Sequence, residues 1–369
     1  MIIYAGALLW ILFLYAIDNA GIIDLSEPIL ANRFLAFMAM FYLIFFIGLR
    51  SAGADTSAYL ANYKNIEPGI DRAIAMLFNF QEEENLFIAY GITLKTMFGQ
   101  NYVPYLFGIA AMSGISVFKI LYKYSENYYL SMMLFMLWGT WSWMYNGIRQ
   151  FWAVSIVFLC LLFIEDNNPA LYIIGILIAS RIHTSALLML PVFFIVNGEP
   201  WKQRTIIPAF LTAFALIFTG TFLGALGSIT EGMDYGEVLS GHYFSSDTGS
   251  NPIRTLMYAI PTVLALLNRD TIEREAPHII KVCVNMSFLC VCTSAIANVT
   301  SGIYIGRLPI YFSVYNMILY PWLFCNTDIK ERKGWIPSLM MLYVAYFWYE
   351  NYIHSHPYYY SEILGLRLF

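Results

Sequence analysis

Apolar residues in this chain come in long unbroken runs, without the alternation or one-sided stripes of soluble elements. The runs fall at Ile2 to Ile17 and then at about 34–49, 101–122, 128–145, 148–165, 169–181, 184–197, 205–226, 253–268, 279–297, 303–325 and 335–349. A helix needs about 20 apolar residues to cross roughly 30 Å of hydrocarbon. The pattern therefore predicts an all-α polytopic integral membrane protein with about twelve transmembrane helices, forming a single membrane domain over residues 1–369. The first run has no basic leader and no small-residue cleavage pattern, so it reads as a retained span and not as a signal peptide. Asn85 to Phe98 differs: Leu86, Phe87, Tyr90, Leu94 and Met97 recur at helical spacing in a run too short to span, preceded by Glu82, Glu83 and Glu84. That pattern predicts an interfacial helix inside the 50–100 loop. Two half-length runs over 169–197 flank Arg181-Ile-His183 and fit either a short hairpin or one broken helix.

Lys and Arg in short loops set the orientation. Lys119 with Lys123, Lys202 with Arg204, Arg269 with Arg274 and Lys281, and Lys330 with Arg332 and Lys333 mark four cytoplasmic loops. The opposite face then carries residues 50–100, the turns near Asn146 and His183, the loop 227–252, the turn near Ser301 and the aromatic tail after Glu350. The 227–252 loop is acidic and rich in Gly, Tyr and Ser, as suits an extracytoplasmic aqueous cleft. With 59% apolar and 12% charged residues in 369, no stretch is left for a soluble catalytic domain. A net charge of −4 without a basic cluster argues against nucleic-acid binding by counterion release. The five cysteines all lie in apolar runs, where cysteine acts as a small hydrophobe and not as a disulfide partner.

The scarce charges carry the chemistry. An arginine at the centre of a span costs on the order of 2.5 to 3.5 kcal/mol on insertion scales, so such residues face a cavity or a partner. Arg50, Arg149, Arg181 and Arg307 all reach the extracytoplasmic face in this topology. Clustered guanidinium forks suit a diphosphate, because they bind its oxygens bidentately and stay charged when partly desolvated; snorkelling to head groups is the competing explanation. Asn146 and Gln150 share a helical face with Arg149 by spacing. His183, followed by Thr184 and Ser185 in apolar sequence, is either a helix-packing residue or a base at the cavity. Asp55 follows the turn at Gly53 and can cap the helix that carries Tyr59 and Tyr63, or serve the chemistry. His242 in the large loop is a third candidate base. His354-Ser-His356 has no third ligand at metal spacing, so zinc is not expected. There is no P-loop, no GxGxxG between strand and helix, no DxD and no GxSxG, which argues against nucleotide substrates.

Four segments give the chain a family resemblance: Gly53-Ala-Asp-Thr-Ser-Ala-Tyr59, Asn146-Gly-Ile-Arg-Gln-Phe-Trp-Ala153, Ala179-Ser-Arg-Ile-His-Thr-Ser-Ala186 and Arg307-Leu-Pro-Ile-Tyr311. In their order and spacing over roughly residues 30–330 the chain resembles the EpsG branch of the Wzy-like polysaccharide polymerases. The resemblance implies a metal-independent, cofactor-free glycosyl transfer at the periplasmic or outer face of a bacterial inner membrane. The donor would be a growing chain on undecaprenyl diphosphate and the acceptor one lipid-linked repeat unit. A flippase and a chain-length regulator would be functional neighbours. On this reading Arg149 and Arg307 clamp the leaving diphosphate, with Arg50 and Arg181 as secondary members, and His183 or Asp55 handles the acceptor proton. Asn146, Gln150, Tyr59, Tyr311 and His242 would contact substrate. A transporter of lipid-linked saccharide, a glycan ligase and a sugar acyltransferase are the alternatives. The chain lacks the internal repeat that many transporters show.

Overall fold

The computed structural model describes residues 2–53, 55–218, 249–329, 331, 334–354 and 359–368. The chain forms two compact units, Met1–Leu190 with Tyr320–Phe369, and Pro191–Leu319. Both are helical, as the apolar runs require: in hydrocarbon the backbone must satisfy its own hydrogen bonds.

In the first unit, α1 (Ile2–Asp18) and α2 (Arg33–Gly48) lead into two short helices, α3 (Thr56–Asn65) and α4 (Ile70–Leu77). The predicted helix α5 forms over Asn85–Phe98 and is followed by α6 (Val103–Tyr124) and α7 (Tyr128–Leu137). Asn32 caps α2 by accepting from the Phe34 and Leu35 amides, and Asn127 caps α7 through the Leu130 amide. Helices α2 and α6 pack along their length, and Gly114 makes this possible: a Cβ there would lie 2.6 Å from the Ile44 side chain. Every residue of α7 is buried, which is why its sequence is apolar all round. Helix α8 (Ile148–Leu159) runs on into α9 (Leu161–Glu165), and α10 (Pro169–Ser180) starts with proline at its first turn under an Asn168 cap.

Beyond α10 the chain turns at Arg181–His183 and returns as a 3-10 helix, Thr184–Met189. The Tyr172 hydroxyl donates to the Met189 carbonyl at 2.8 Å, so the start of α10 lies beside the end of the returning segment. Of the two readings left open by the sequence, the structure takes the hairpin, with Arg181 and His183 at its tip. Helix α5 buries Phe87, Ala89, Ile92 and Lys95 and packs on α4 and α6. Lys95 donates to the Tyr63 and Lys64 carbonyls (3.1 and 3.0 Å) and to Gln100 Oε1 (2.9 Å), closing the C-terminus of α3.

The second unit contains α11 (Val192–Val196), α12 (Gln203–Ile217), α13 (Pro252–Leu267), α14 (Arg269–Glu275), α15 (His278–Val299), a 3-10 turn at Ile305–Arg307, and α16 (Ile310–Ser313). Helices α13 and α15 are joined by side-chain hydrogen bonds, Thr262 to Ser287 at 2.8 Å and Thr255 to Ser294 at 2.6 Å. Such bonds contribute about 0.6 kcal/mol each between membrane helices. The run 303–325 is not one straight helix: Ile305–Ser313 and Asn316–Asn326 meet at 45°.

Among the described residues three helical segments are long and apolar enough to cross a membrane, Val103–Tyr124, Ile148–Glu165 and His278–Val299, with the bent pair as a fourth, and seven apolar helices are shorter. Among the described residues the paired strands lie in the tail, where β1 (Tyr359–Ser361) pairs antiparallel with β2 (Leu366–Leu368). This hairpin closes the end of α2: Tyr359 donates to the Phe46 carbonyl at 2.9 Å, Ser361 to Leu49 at 2.6 Å, and the Ser51 amide to Tyr360 at 2.8 Å.

All five cysteines are buried thiols, so a thiol-reactive dye reports unfolding in detergent. Replacing Lys95 with Met leaves the Tyr63 and Lys64 carbonyls without their donor and is expected to cost about 1–3 kcal/mol. The measurement is a lower dye-detected midpoint; an unchanged midpoint would show that the lysine does not hold α3.

Candidate functional site

Three of the four sequence motifs lie in the first unit, and their polar side chains meet. Arg50 follows α2 and is buried. Its Nε donates to Thr56 Oγ1 at 2.7 Å and its NH1 to the Ile47 carbonyl, while NH2 has no partner among the described residues. Asp55 occupies the cap position of α3, yet its carboxylate makes no capping bond. Oδ2 instead accepts from the Gly147 amide at 3.1 Å, joining the first motif to the second. Gly147 has φ +76°, a left-handed value that favours glycine, and a Cβ there would approach the Trp143 ring at 3.2 Å. This turn aims the amide at Asp55 and starts α8, which carries Arg149 in its first turn.

The centre of the site is a residue that the sequence reading passed over. Glu84 Oε2 pairs with Arg149 NH1, and Glu84 Oε1 binds His183 Nδ1. The three side chains are 13% (Glu84), 39% (Arg149) and 15% (His183) exposed. Arg149 also lies over two rings, its guanidinium carbon 5.5 Å from the centroid of Phe87 and 5.9 Å from that of Tyr59. The segment before α5 is fixed to the hairpin tip by its backbone: the Leu86 and Phe87 amides donate to the Arg181 carbonyl at 3.0 and 3.3 Å. Arg181 NH1 donates to the Phe80 carbonyl at 3.3 Å, and its guanidinium sits 5.1 Å from the Phe80 ring centroid. Thr184 Oγ1 adds a bond to Glu83 Oε2 at 3.3 Å.

Burial raises the pKa of the Glu84 carboxyl, but the hydrogen bond and charge of His183 and the charge of Arg149 outweigh it and hold the group below its ordinary value. Glu84 is therefore ionised at neutral pH. A carboxylate on Nδ1 fixes the neutral imidazole as the Nδ1–H tautomer and leaves Nε2 as the basic nitrogen. Among the described residues Nε2 has no hydrogen-bond partner. The arrangement thus presents a proton acceptor and a partly exposed guanidinium on two sides of one carboxylate.

Not every candidate joins this group. Asn146 precedes α8 in an exposed turn while Gln150 is buried within it, so the two do not share a helical face with Arg149; the break at Gly147 interrupts the spacing on which that expectation rests. Arg307 is exposed on the 3-10 turn of the second unit, and Tyr311 is wholly buried in α16. His242 lies outside the described residues. Glu84 escaped notice because the triplet Glu82-Glu83-Glu84 reads as the polar lead-in to a surface helix; one usable signal was that a carboxylate triplet is rare in a chain only 12% charged.

Because Glu84 titrates below its unfolded value, its ties stabilise the folded state fully above about pH 4.3, the ordinary glutamate pKa, and the benefit disappears as pH falls through the lowered folded value. At pH 7, Glu84→Gln is expected to cost about 1–2 kcal/mol, most of it from the His183 side since Arg149 is screened by solvent. The difference in dye-detected midpoint between wild type and variant should shrink as the pH falls below about 4. A difference that persists undiminished at still lower pH would overturn this account.

No curated protein and no solved structure matches the chain. The sequence model of the EpsG family matches residues 33–364, nearly the whole length and all four motifs. The chain belongs to the EpsG family of Wzy-like polysaccharide polymerases.

Proposed function

We propose that this protein joins undecaprenyl-diphosphate-linked oligosaccharide repeat units at the extracytoplasmic face of a bacterial inner membrane. In the transfer, a sugar hydroxyl of the acceptor unit attacks the anomeric carbon of the donor chain. The new C–O bond forms as the bond from that carbon to the lipid diphosphate breaks, the electron pair leaves on the diphosphate, and the hydroxyl proton passes to a protein base. Two kinds of help are needed: a proton acceptor near neutrality and fixed positive charge where the diphosphate becomes more negative.

The observation that carries this reading is the meeting of Arg149 and His183, from separate motifs, on one carboxylate. His183 is the base, because Glu84 orients it with Nε2 open, whereas Asp55 is committed to the Gly147 amide. Arg149 is the leaving-group arginine: it is partly exposed, and its fork suits phosphate oxygens. Tyr59, beside Arg149, contributes an aromatic face of the kind on which sugars stack. Arg50, with only NH2 uncommitted among the described residues, and Arg181, occupied with Phe80, are supporting members. Arg307 is given a leaving-group role on the strength of its motif. Guanidinium charge here takes the part that a divalent cation plays in other diphosphate chemistry.

The test uses purified full-length protein and lipid-linked repeat units, with product ladders resolved on gels. Arg149→Ala is expected to slow polymer formation about 10²–10³-fold, and His183→Ala about 10²–10⁴-fold. Arg149→Lys should recover only part of the rate, since an ammonium cannot form the fork. Arg307→Ala should shorten the ladder. Polymer of normal length at normal protein level from Arg149→Ala or His183→Ala would sink the reading, as would movement of the lipid-linked unit between leaflets with no new glycosidic bond.

A further inference from the structure

We propose that Glu84 is a positioning residue that couples the acceptor's base to the leaving-group arginine, so that the charge gained by His183 and the charge gained by the diphosphate are balanced across one carboxylate. The inference rests on the polymerase reading above and adds to it a residue that lies in none of the four motifs.

The first support is the backbone. Glu84 has φ +54°, a left-handed conformation that costs a non-glycine residue roughly 1–2 kcal/mol. It stands at the cap position of α5, where a carboxylate ordinarily accepts from the helix's own amides and gains from the helix dipole. It makes no capping bond. Both oxygens are instead turned to partners from elsewhere, one on α8 and one at the tip of the hairpin. A strained residue that gives up its local hydrogen bonds for two distant ones is held there by the fold, through the Leu86, Phe87 and Glu83 ties to Arg181 and Thr184.

The second support is charge. To act as a base His183 must start neutral, so with Arg149 and Glu84 ionised the trio sums to zero before transfer. When the acceptor O–H bond breaks, its proton goes to His183 Nε2 and the trio becomes +1. In the same step the breaking C–O bond leaves its electron pair on the diphosphate, which gains one negative charge. Glu84 stays ionised throughout, offsets the new imidazolium through Nδ1–H, and keeps that imidazolium from facing Arg149 as an uncompensated like charge. Without the carboxylate, the imidazole would lose its tautomer and the proton would arrive next to a second cation.

The experiment measures initial rates with purified full-length protein in lipid nanodiscs, using undecaprenyl-diphosphate-linked repeat units extracted from cells of the source that lack the polymerase. Glu84→Gln keeps the shape and removes the charge. It is expected to lower kcat about 10²-fold with KM changed less than about threefold, while the dye-detected transition stays above the assay temperature. Glu84→Asp should recover about tenfold of that loss. The double variant Glu84→Gln with His183→Ala should be no slower than His183→Ala alone, since a residue acting through His183 has nothing left to act on. Glu84→Gln with Arg149→Ala should likewise cost less than the product of the single losses. Wild-type kcat in Glu84→Gln, or losses that multiply in the His183 double variant, would overturn the coupling while leaving the polymerase reading intact. Full activity in His183→Ala alone would remove the base assignment, and the coupling with it.

Discussion

A single ionised carboxylate, Glu84, ties together three separate segments of the first unit. It lies between Arg149 at the start of α8 and His183 at the tip of the helical hairpin, and it belongs to a third segment, the link before α5. A largely buried charge is stable only when paired and hydrogen-bonded. Glu84, the most buried of the three, therefore depends on both partners. Removing Glu84 would leave the Arg149 guanidinium without its counter-charge and the His183 imidazole without its Nδ1 partner, and removing either of those groups would leave the carboxylate with less reason to stay ionised.

That constraint explains the irregular structure around it. Gly147 adopts a left-handed turn so that its amide reaches Asp55 and α8 begins with Arg149 facing Glu84. The tip of the hairpin formed by α10 and the 3-10 helix that follows is tied to the start of α5, where the Leu86 and Phe87 amides bond the Arg181 carbonyl. Arg50 is buried beneath the same end of the unit, and the tail hairpin ties down the turn that follows α2. Regular helices supply the frame, and the breaks between them bring the charges together.

Much of the fold was legible because the bilayer imposes a simple rule: apolar runs become helices. Runs such as 34–49, 148–165 and 279–297 became α2, α8 with α9, and α15. The bend between α16 and α17 (Asn316–Asn326) was not legible, since hydropathy is blind to direction. Nor was the tail hairpin, whose strands are only three residues long and owe their pairing to the end of α2. At the site, Arg149, His183 and Asp55 could be singled out because charge in apolar sequence is costly. The shared helical face expected for Asn146 and Arg149 does not form, because the spacing between them crosses the glycine break at 147.

The sequence by itself determined that this is a helical membrane protein, which scarce charges are worth attention, and which family it belongs to, because those properties follow from composition and from short local motifs. Tertiary structure alone decided which charges meet. Glu84, Arg149 and His183 are far apart along the chain, and their contact depends on where α5, α8 and the hairpin tip end in space, a consequence of packing that no local pattern encodes.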